Sequence, residues 1–157
     1  MKTCCIISKT PSSWSEFEGS FKYDVWAEGI EKLVLSLSEE GVTEFISPMS
    51  LGAETVFAEA VLNLKRHSAW VNLECAISYE AWAKDWTEPE RDRYFKVMEN
   101  CDRETLVSIR YSDKAEEDCY KYMINKYDII IISEASKEAL SHIIGDIRNR
   151  NKRYIYI

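Results

Sequence analysis

A run of four isoleucines, residues 129–132, is the feature that most constrains what this chain can fold into. The run is apolar on both faces of an extended backbone, which is typical of a strand at the centre of a sheet. Other short apolar runs recur along the chain and alternate with longer segments in which the apolar residues are spaced further apart. The runs predicted as strands are residues 3–8, 42–47, 71–77, 104–109, 128–133 and 153–157.

The segments between the runs have apolar residues every three or four positions, the spacing of amphipathic helices. Gly41 follows one of these segments and is suited to a left-handed cap. Residues 87–90, Thr-Glu-Pro-Glu, have the form of a capping box, which predicts the start of another helix. Alternating strands and helices predict an α/β fold, a three-layer Rossmann-like domain with a mainly parallel sheet and helices on both faces. No linker or repeat divides the chain, so we expect one domain over residues 1–157.

Composition excludes several classes of protein. With 46% hydrophobic and 30% charged residues among 157, the chain has the composition of a globular protein and not of a disordered one. Acidic residues number 27 against 20 basic ones, giving a net charge of −7, which argues against a nucleic-acid partner. No apolar run approaches the roughly 20 residues of a membrane span, and residues 1–7 are too short for a secretory signal. We therefore expect no membrane partner and a cytoplasmic location.

The five cysteines are odd in number and show no CxxC spacing, so we expect reduced, mostly buried thiols rather than a disulfide framework. Cys4 and Cys5 are adjacent in a predicted strand, and their side chains should therefore point to opposite faces of the sheet. Only His67 and His142 are available as imidazole ligands, and no cluster has zinc-ligand spacing. No metal site is predicted.

The loop most informative about ligands lies at residues 47–54, between a predicted strand and a predicted helix. A helix start offers free N–H groups and a dipole that can hold a phosphate, and Gly52 would let the backbone approach it. Ser47 and Ser50 could donate hydroxyl groups. The loop matches neither GxGxxG nor GxxxxGK[ST]. Spacing alone favours the alternative, an unliganded helix start capped by Ser50 with Glu54 complementing the dipole.

Residues 45–54, F-I-S-P-M-S-L-G-A-E, followed by A-E-A-V-L at 58–62, resemble the F-I-S-G-M-A-x-G-x-D…A-E-x-V-L segment of the YpsA-like group. That group lies within the SLOG superfamily of Rossmann-like nucleotide-binding proteins. Three other stretches resemble the same group and keep its order: residues 1–5, Trp86 with residues 90–94, and residues 122–123 ahead of 128–131. The resemblance implies a module that binds a nucleotide or an ADP-ribose-like ligand without turnover. We also expect a homo-oligomer.

The departures from the family pattern fall where a ligand would bind. The family's T-G-H-R-P after the first strand is I-S-K-T-P here, and its glycine after F-I-S is Pro48, which removes an N–H donor. Its acidic residue is kept as Glu54, and its G-G-T after the fifth strand is replaced by residues 133–137, S-E-A-S-K. A partly eroded pocket is therefore expected. Its candidate ligand-binding residues are Ser8, Lys9, Ser47, Ser50, Gly52, Glu54, Trp86 and Ser133, and no catalytic residue is predicted.

Two other functions stay open. The first is a ligand-free scaffold that acts by protein–protein or self-association. The second is a phosphoribohydrolase that cleaves an N-glycosidic bond, although the glycine-rich P-G-G-x-G-T loop and the acid that such relatives use are absent. For Trp86, packing over the edge of the sheet is the alternative to stacking on a base.

Overall fold

The computed structural model describes residues 2–67 and 70–157. Met1, which belongs to the opening stretch of the family resemblance, lies outside these residues. The strands are β1 (Lys2–Ile7), β2 (Val42–Ser47), β3 (Asn72–Tyr79), β4 (Arg103–Ser108), β5 (Ile129–Ile132) and β6 (Arg153–Tyr156). The helices are α1 (Trp14–Glu18), α2 (Phe21–Glu39), α3 (Ala53–Lys65), α4 (Glu88–Asn100), α5 (Ala115–Ile124) and α6 (Ser141–Asn149), and a 3-10 turn covers Glu134–Ser136.

All six strands form one parallel sheet in the order β4-β3-β2-β1-β5-β6. The isoleucine run is β5, and it pairs with β1 through the register Cys4↔Ile129 to Ile7↔Ile132. Both strands are interior in the sheet, and all four isoleucines are buried. The α/β, three-layer, Rossmann-like fold predicted from the alternating pattern is thereby confirmed.

The two faces of the sheet are covered by different helices. Cys4 and Ile6 belong to the core under α2, α3 and α4, whereas Cys5 and Ile7 belong to the core under α5 and α6. This division follows from the strand order. The chain steps outward in one direction from β1 to β4 and then crosses back to β5, and right-handed crossovers in opposite directions place their helices on opposite faces. The predicted opposite orientation of Cys4 and Cys5 is confirmed.

Local signals in the sequence mostly predict the element ends. Gly41 has φ +101° beyond the end of α2, and Thr87 and Glu90 form the capping box that begins α4. The third strand runs two residues further than predicted, and α5 ends two residues before the end of the helix that its spacing predicts over residues 115–126. Sequence reasoning missed α1, because residues 9–13 read as a loop rich in serine and proline and the helix itself is only five residues long.

None of the helices in residues 2–67 and 70–157 combines the length and apolarity needed to span a bilayer. Within the same residues there is no group of three or more His, Cys, Asp or Glu side chains that could hold a metal ion. All five cysteines are free thiols, four of them buried.

Candidate functional site

The order of the strands reverses between β1 and β5, and this is the place where open α/β sheets bind ligands. The loops that leave these two strands are tied together at their first residues. The Ser133 amide donates to the carbonyl oxygen of Ile7 at 3.2 Å. The Lys9 amide donates to the hydroxyl of Ser136 at 2.7 Å, and this hydroxyl donates back to the Lys9 carbonyl at 3.0 Å. Ser8, Lys9 and Ser133 therefore lie together at the carboxyl edge of the sheet.

Glu54 joins the loop after β1 to the loop after β2. One carboxylate oxygen accepts hydrogen bonds from the Ser8 amide at 2.9 Å and the Ser8 hydroxyl at 3.0 Å. The other accepts from the Ser50 amide at 2.9 Å and the Ser50 hydroxyl at 2.6 Å. The side chain of Glu54 is buried, with the residue only 1% exposed. Four donors from two loops thus converge on one carboxyl group, an arrangement that we call the Glu54 ring.

Burial in this position raises the pKa of Glu54 from 4.5 to about 7. Removal from water penalises the charged form and is the largest effect, while the hydrogen bonds from Ser50 and Ser8 act in the opposite direction. Both backbone amides can keep donating when the carboxyl is protonated, and a serine hydroxyl can turn from donor to acceptor. The ring therefore accommodates either protonation state near neutral pH.

The start of α3 differs from the predicted cap. Gly52, and not Ser50, occupies the N-cap position, with φ +97°. The hydroxyl of Ser50 is turned to Glu54 instead, so the prediction that Ser50 caps the helix is wrong. Ser47 is fully buried, and its hydroxyl donates to the Glu54 carbonyl at 2.8 Å and accepts from the Met49 amide at 3.2 Å. The candidate hydroxyls after β2 are thus engaged within the loop itself.

The short helix α1 covers the start of α3. A Cβ atom on Gly52 would lie 3.5 Å from the indole of Trp14 and 3.6 Å from the hydroxyl oxygen of Thr10. The Thr10 hydroxyl donates to the carbonyl oxygen of Leu51. Trp14 is held in an aromatic cluster whose ring centroids are 5.5 to 5.9 Å apart; its other members are Phe17, Tyr23 and Trp26. An indole ring therefore lies beside the helix start that the sequence offered as a phosphate site.

On the other side of β1, the Lys9 ammonium forms an ion pair with Glu116 of α5. The Tyr120 hydroxyl lies 3.2 Å from both the Ser8 carbonyl oxygen and the same Glu116 carboxylate oxygen. Burial raises the pKa of Tyr120 strongly, and the nearby Glu54 and Glu116 carboxyls add to the effect. Tyr120 is therefore a permanent hydrogen-bond donor at this edge.

Trp86 is placed apart from the other candidates. Its ring packs edge-to-face against Tyr94 at 5.4 Å and against Trp82 at 6.3 Å. Trp82 is the tryptophan that reaches the loop after β2, because its indole N–H donates to the Met49 carbonyl at 2.8 Å. The half-buried Trp86 therefore has the environment of a packing residue next to the site.

Two surface clefts lie elsewhere on the molecule. One, of about 610 Å³, lies among α2, α3 and α4, where Arg93 donates to both carboxylate oxygens of Glu59. The other, of about 280 Å³, lies beside α4 and β4 and is lined by residues that include Phe95 and Glu104. Neither cleft is lined by any candidate ligand-binding residue.

Sequence reasoning missed the contributions of Trp14, Glu116, Tyr120 and Ser136. The role of Tyr120 could have been predicted, because a tyrosine on the apolar face of a predicted helix has a hydroxyl that needs a hydrogen-bond partner when it is buried. No such signal existed for Ser136, because its hydroxyl hydrogen-bonds to the backbone of Lys9, 127 residues away in the chain.

Six parallel strands in this order, with helices on both faces and a polar carboxyl edge, define a Rossmann-like α/β protein. A family model described as the YspA SLOG family matches residues 18–155. The match covers most of the chain, so the protein belongs to this SLOG family, and the membership indicates a nucleotide-related Rossmann-like fold. A search of curated proteins finds no match to the chain.

Proposed function

We propose that this protein binds a nucleotide or nucleotide-derived small molecule, such as an ADP-ribose-like ligand, at the carboxyl edge of β1, β2 and β5. We further propose that it binds this ligand without chemical turnover. The observation that carries the proposal is the reversal of strand order between β1 and β5, with Ser8, Lys9 and Ser133 at that reversal and Gly52 at the start of α3 nearby.

The start of α3 supplies the physical basis for anion binding. Free N–H groups and the positive end of the helix dipole favour a phosphate there, and Gly52 has no side chain to obstruct it. A phosphate in that position would take the place of the Trp14 indole, which lies beside Gly52 in the structure described. Binding should therefore change the environment of Trp14.

The surroundings of Glu54 support binding without catalysis. A carboxyl with a pKa of about 7 is suited to acid–base chemistry at neutral pH, so Glu54 is the natural candidate for a catalytic acid. Its two oxygens, however, already accept four hydrogen bonds, and the residue is 1% exposed. A group so enclosed positions the two loops and does not reach a ligand.

The same ring favours a second candidate function, a scaffold that binds no nucleotide. The amides of Ser8 and Ser50 are donors that a phosphate would use in a binding protein, and here they are bound to Glu54. Both described clefts also lie away from the candidate residues. A scaffold would act through its surface, by association with another protein or with its own copies.

Thermal unfolding in the presence of NAD, ADP-ribose, AMP and cyclic nucleotides separates the two candidates. A ligand present at about a hundred times its dissociation constant stabilises the fold by about 2.7 kcal/mol, which raises the melting temperature by several degrees. We expect at least one of these compounds to give such a shift. If none does at high concentration, while the protein remains folded, nucleotide binding is rejected in favour of the scaffold.

Two variants locate the site once a shift is found. Lys9→Ala removes the cation beside the strand reversal and should weaken binding. Lys32→Ala, on the outer face of α2, removes an exposed cation whose ion pair in the described part of the chain is with Glu28, and should leave binding unchanged. Tryptophan fluorescence supplies an independent signal, because the ligand-induced change should disappear in Trp14→Phe. Equal binding by both lysine variants would place the site elsewhere.

We also propose that the protein works in the cytoplasm, since its five cysteines are free thiols, as is usual in a reducing compartment.

A further inference from the structure

Strand β4 is an edge of the sheet, and its outer side is open. Among the residues that the structure describes it pairs only with β3, so every second residue presents its backbone N–H and C=O to the free edge. The Asp102 amide donates to Leu73 of β3 at 2.9 Å. The Leu73 carbonyl therefore points to β4, and because Glu74 is in register with Arg103, the β4 amides that face β3 start at Arg103 and alternate from there. The residues with outward-facing amides are Glu104, Leu106 and Ser108. An exposed row of this kind can pair with another strand.

Apolar side chains surround this open edge to an unusual degree. Leu106 is 41% exposed, Ile109 71% and Tyr111 67%, and Phe95 on the neighbouring helix α4 is 52% exposed. Leu106 and Glu104 are two residues apart and therefore lie on the same face of the strand. Glu104 lines a cleft together with Phe95. Edge strands that stay unpaired usually carry charges or proline, whereas β4 has charges at its first two residues, Arg103 and Glu104, and uncharged residues beyond them.

The charges at the two ends of the strand identify the partner. Glu104, near the start of β4, and Arg110, just after its end, are both exposed, and neither has an ion-pair partner within the described part of the chain. When two copies of a strand pair antiparallel about a two-fold axis, the start of each lies against the end of the other. With Leu106 on the axis, Glu104 faces the small Ser108 of the second copy, and Arg110 follows two residues further on. Each copy then supplies one acid and one base to the other.

We propose that β4 pairs antiparallel with β4 of a second copy of this chain, which joins the two sheets into one sheet of twelve strands across a two-fold axis. Leu106 packs against its own counterpart at the axis, and Glu104 and Arg110 form two symmetry-related ion pairs. Leu106 exchanges backbone hydrogen bonds with its own counterpart, and Glu104 exchanges them with Ser108 of the second copy. The other edge strand, β6, has four residues against the six of β4. The dimer does not depend on nucleotide binding.

Charge reversal provides a direct test, read by analytical ultracentrifugation of the full chain across a dilution series. The unaltered protein should sediment as a dimer. Glu104→Arg and Arg110→Glu should each raise the dissociation constant about tenfold or more, because each variant places like charges together twice. An equimolar mixture of the two variants should regain the dimer, since every contact in the mixed pair is again between opposite charges.

Two further variants separate this interface from a general effect of charge. Ser108→Pro removes an outward-facing amide at an edge position, where proline is tolerated, and should also weaken the dimer. Glu138→Arg, an exposed reversal in the β5–α6 connection, should not. Circular dichroism checks that each variant is folded. A protein that is monomeric at every concentration overturns the proposal, and so does a dimer that the Glu104, Arg110 and Ser108 variants leave unchanged.

Discussion

Glu54→Gln provides the most direct test of the physical account of the site. In the folded protein the pKa of Glu54 is raised from 4.5 to about 7, mainly by burial. The folded state therefore holds this proton more tightly than the unfolded chain does. It follows that Glu54 contributes stability that is fully present below about pH 4.5 and is lost as the pH rises through about pH 7.

The magnitude follows from the size of the shift. Each unit of pKa difference corresponds to about 1.4 kcal/mol, so between about pH 5 and pH 8.5 the unaltered protein should lose about 2 to 3 kcal/mol through this group. Glutamine does not titrate and removes this loss. Its amide nitrogen, however, cannot accept the hydrogen bond from the Ser8 or Ser50 amide, and one unpaired buried donor costs about 1 to 3 kcal/mol at every pH.

Urea unfolding of the two proteins at several pH values measures the difference directly. At about pH 5 we expect Glu54→Gln to be less stable than the unaltered protein by about 1 to 3 kcal/mol. At about pH 8.5 the difference should shrink to near zero or change sign, because the unaltered protein then buries a charged carboxylate. Contributions from all other titrating groups cancel in the comparison of the two proteins.

Glu138→Gln is the matched control, because this carboxyl is exposed and its replacement should leave the shape of the pH profile unchanged. The reasoning is refuted if the profiles of Glu54→Gln and the unaltered protein run parallel from about pH 5 to pH 8.5. Parallel profiles would mean that the Glu54 carboxyl is ionised throughout and that burial does not dominate its environment.

Three further outcomes are expected. Gly52→Ala should lower the free energy of unfolding by about 1 to 3 kcal/mol because φ is +97° there, whereas Gly145→Ala, with open space around it in α6, should raise it slightly; chemical denaturation compares the two. Tyr127→Phe should stabilise the fold by about 1 kcal/mol in the same assay, because the buried Tyr127 hydroxyl lacks a hydrogen-bond partner among the described residues, and a loss of stability would indicate a partner. Brief iodoacetamide treatment of the folded protein should label Cys101 alone, since the hydrogen bond from Cys75 lowers the pKa of this half-buried thiol; mass spectrometry of labelled peptides would contradict this by finding a buried cysteine modified first.

The candidate site could be predicted only in part. The sequence pointed to Ser8, Ser50 and Glu54 as neighbours of a ligand, and the structure brings these three together. The sequence did not indicate that these side chains would bind one another, because the hydrogen bond between Ser8 and Glu54 joins residues 46 positions apart. Nor did it place Trp14 beside Gly52, a contact that depends on where a five-residue helix packs.

What the sequence by itself determined is the order and kind of the elements. The four isoleucines are apolar on both sides of a strand, and Gly41 and residues 87–90 carry their end signals within a few positions. Such patterns are local, so a single sequence contains them in full. From these patterns the alternating elements, the parallel sheet and helices on both of its faces follow.

Only the tertiary structure decided how the carboxyl edge and the outer edges of the sheet are used. Whether Glu54 faces a ligand or two serines depends on how the crossover from β1 to β2 sets the loops after these two strands against one another. Whether β4 is covered or open depends on its place at the end of the sheet. These contacts join distant parts of the chain, and their geometry comes from packing between elements rather than from the periodicity within any one of them.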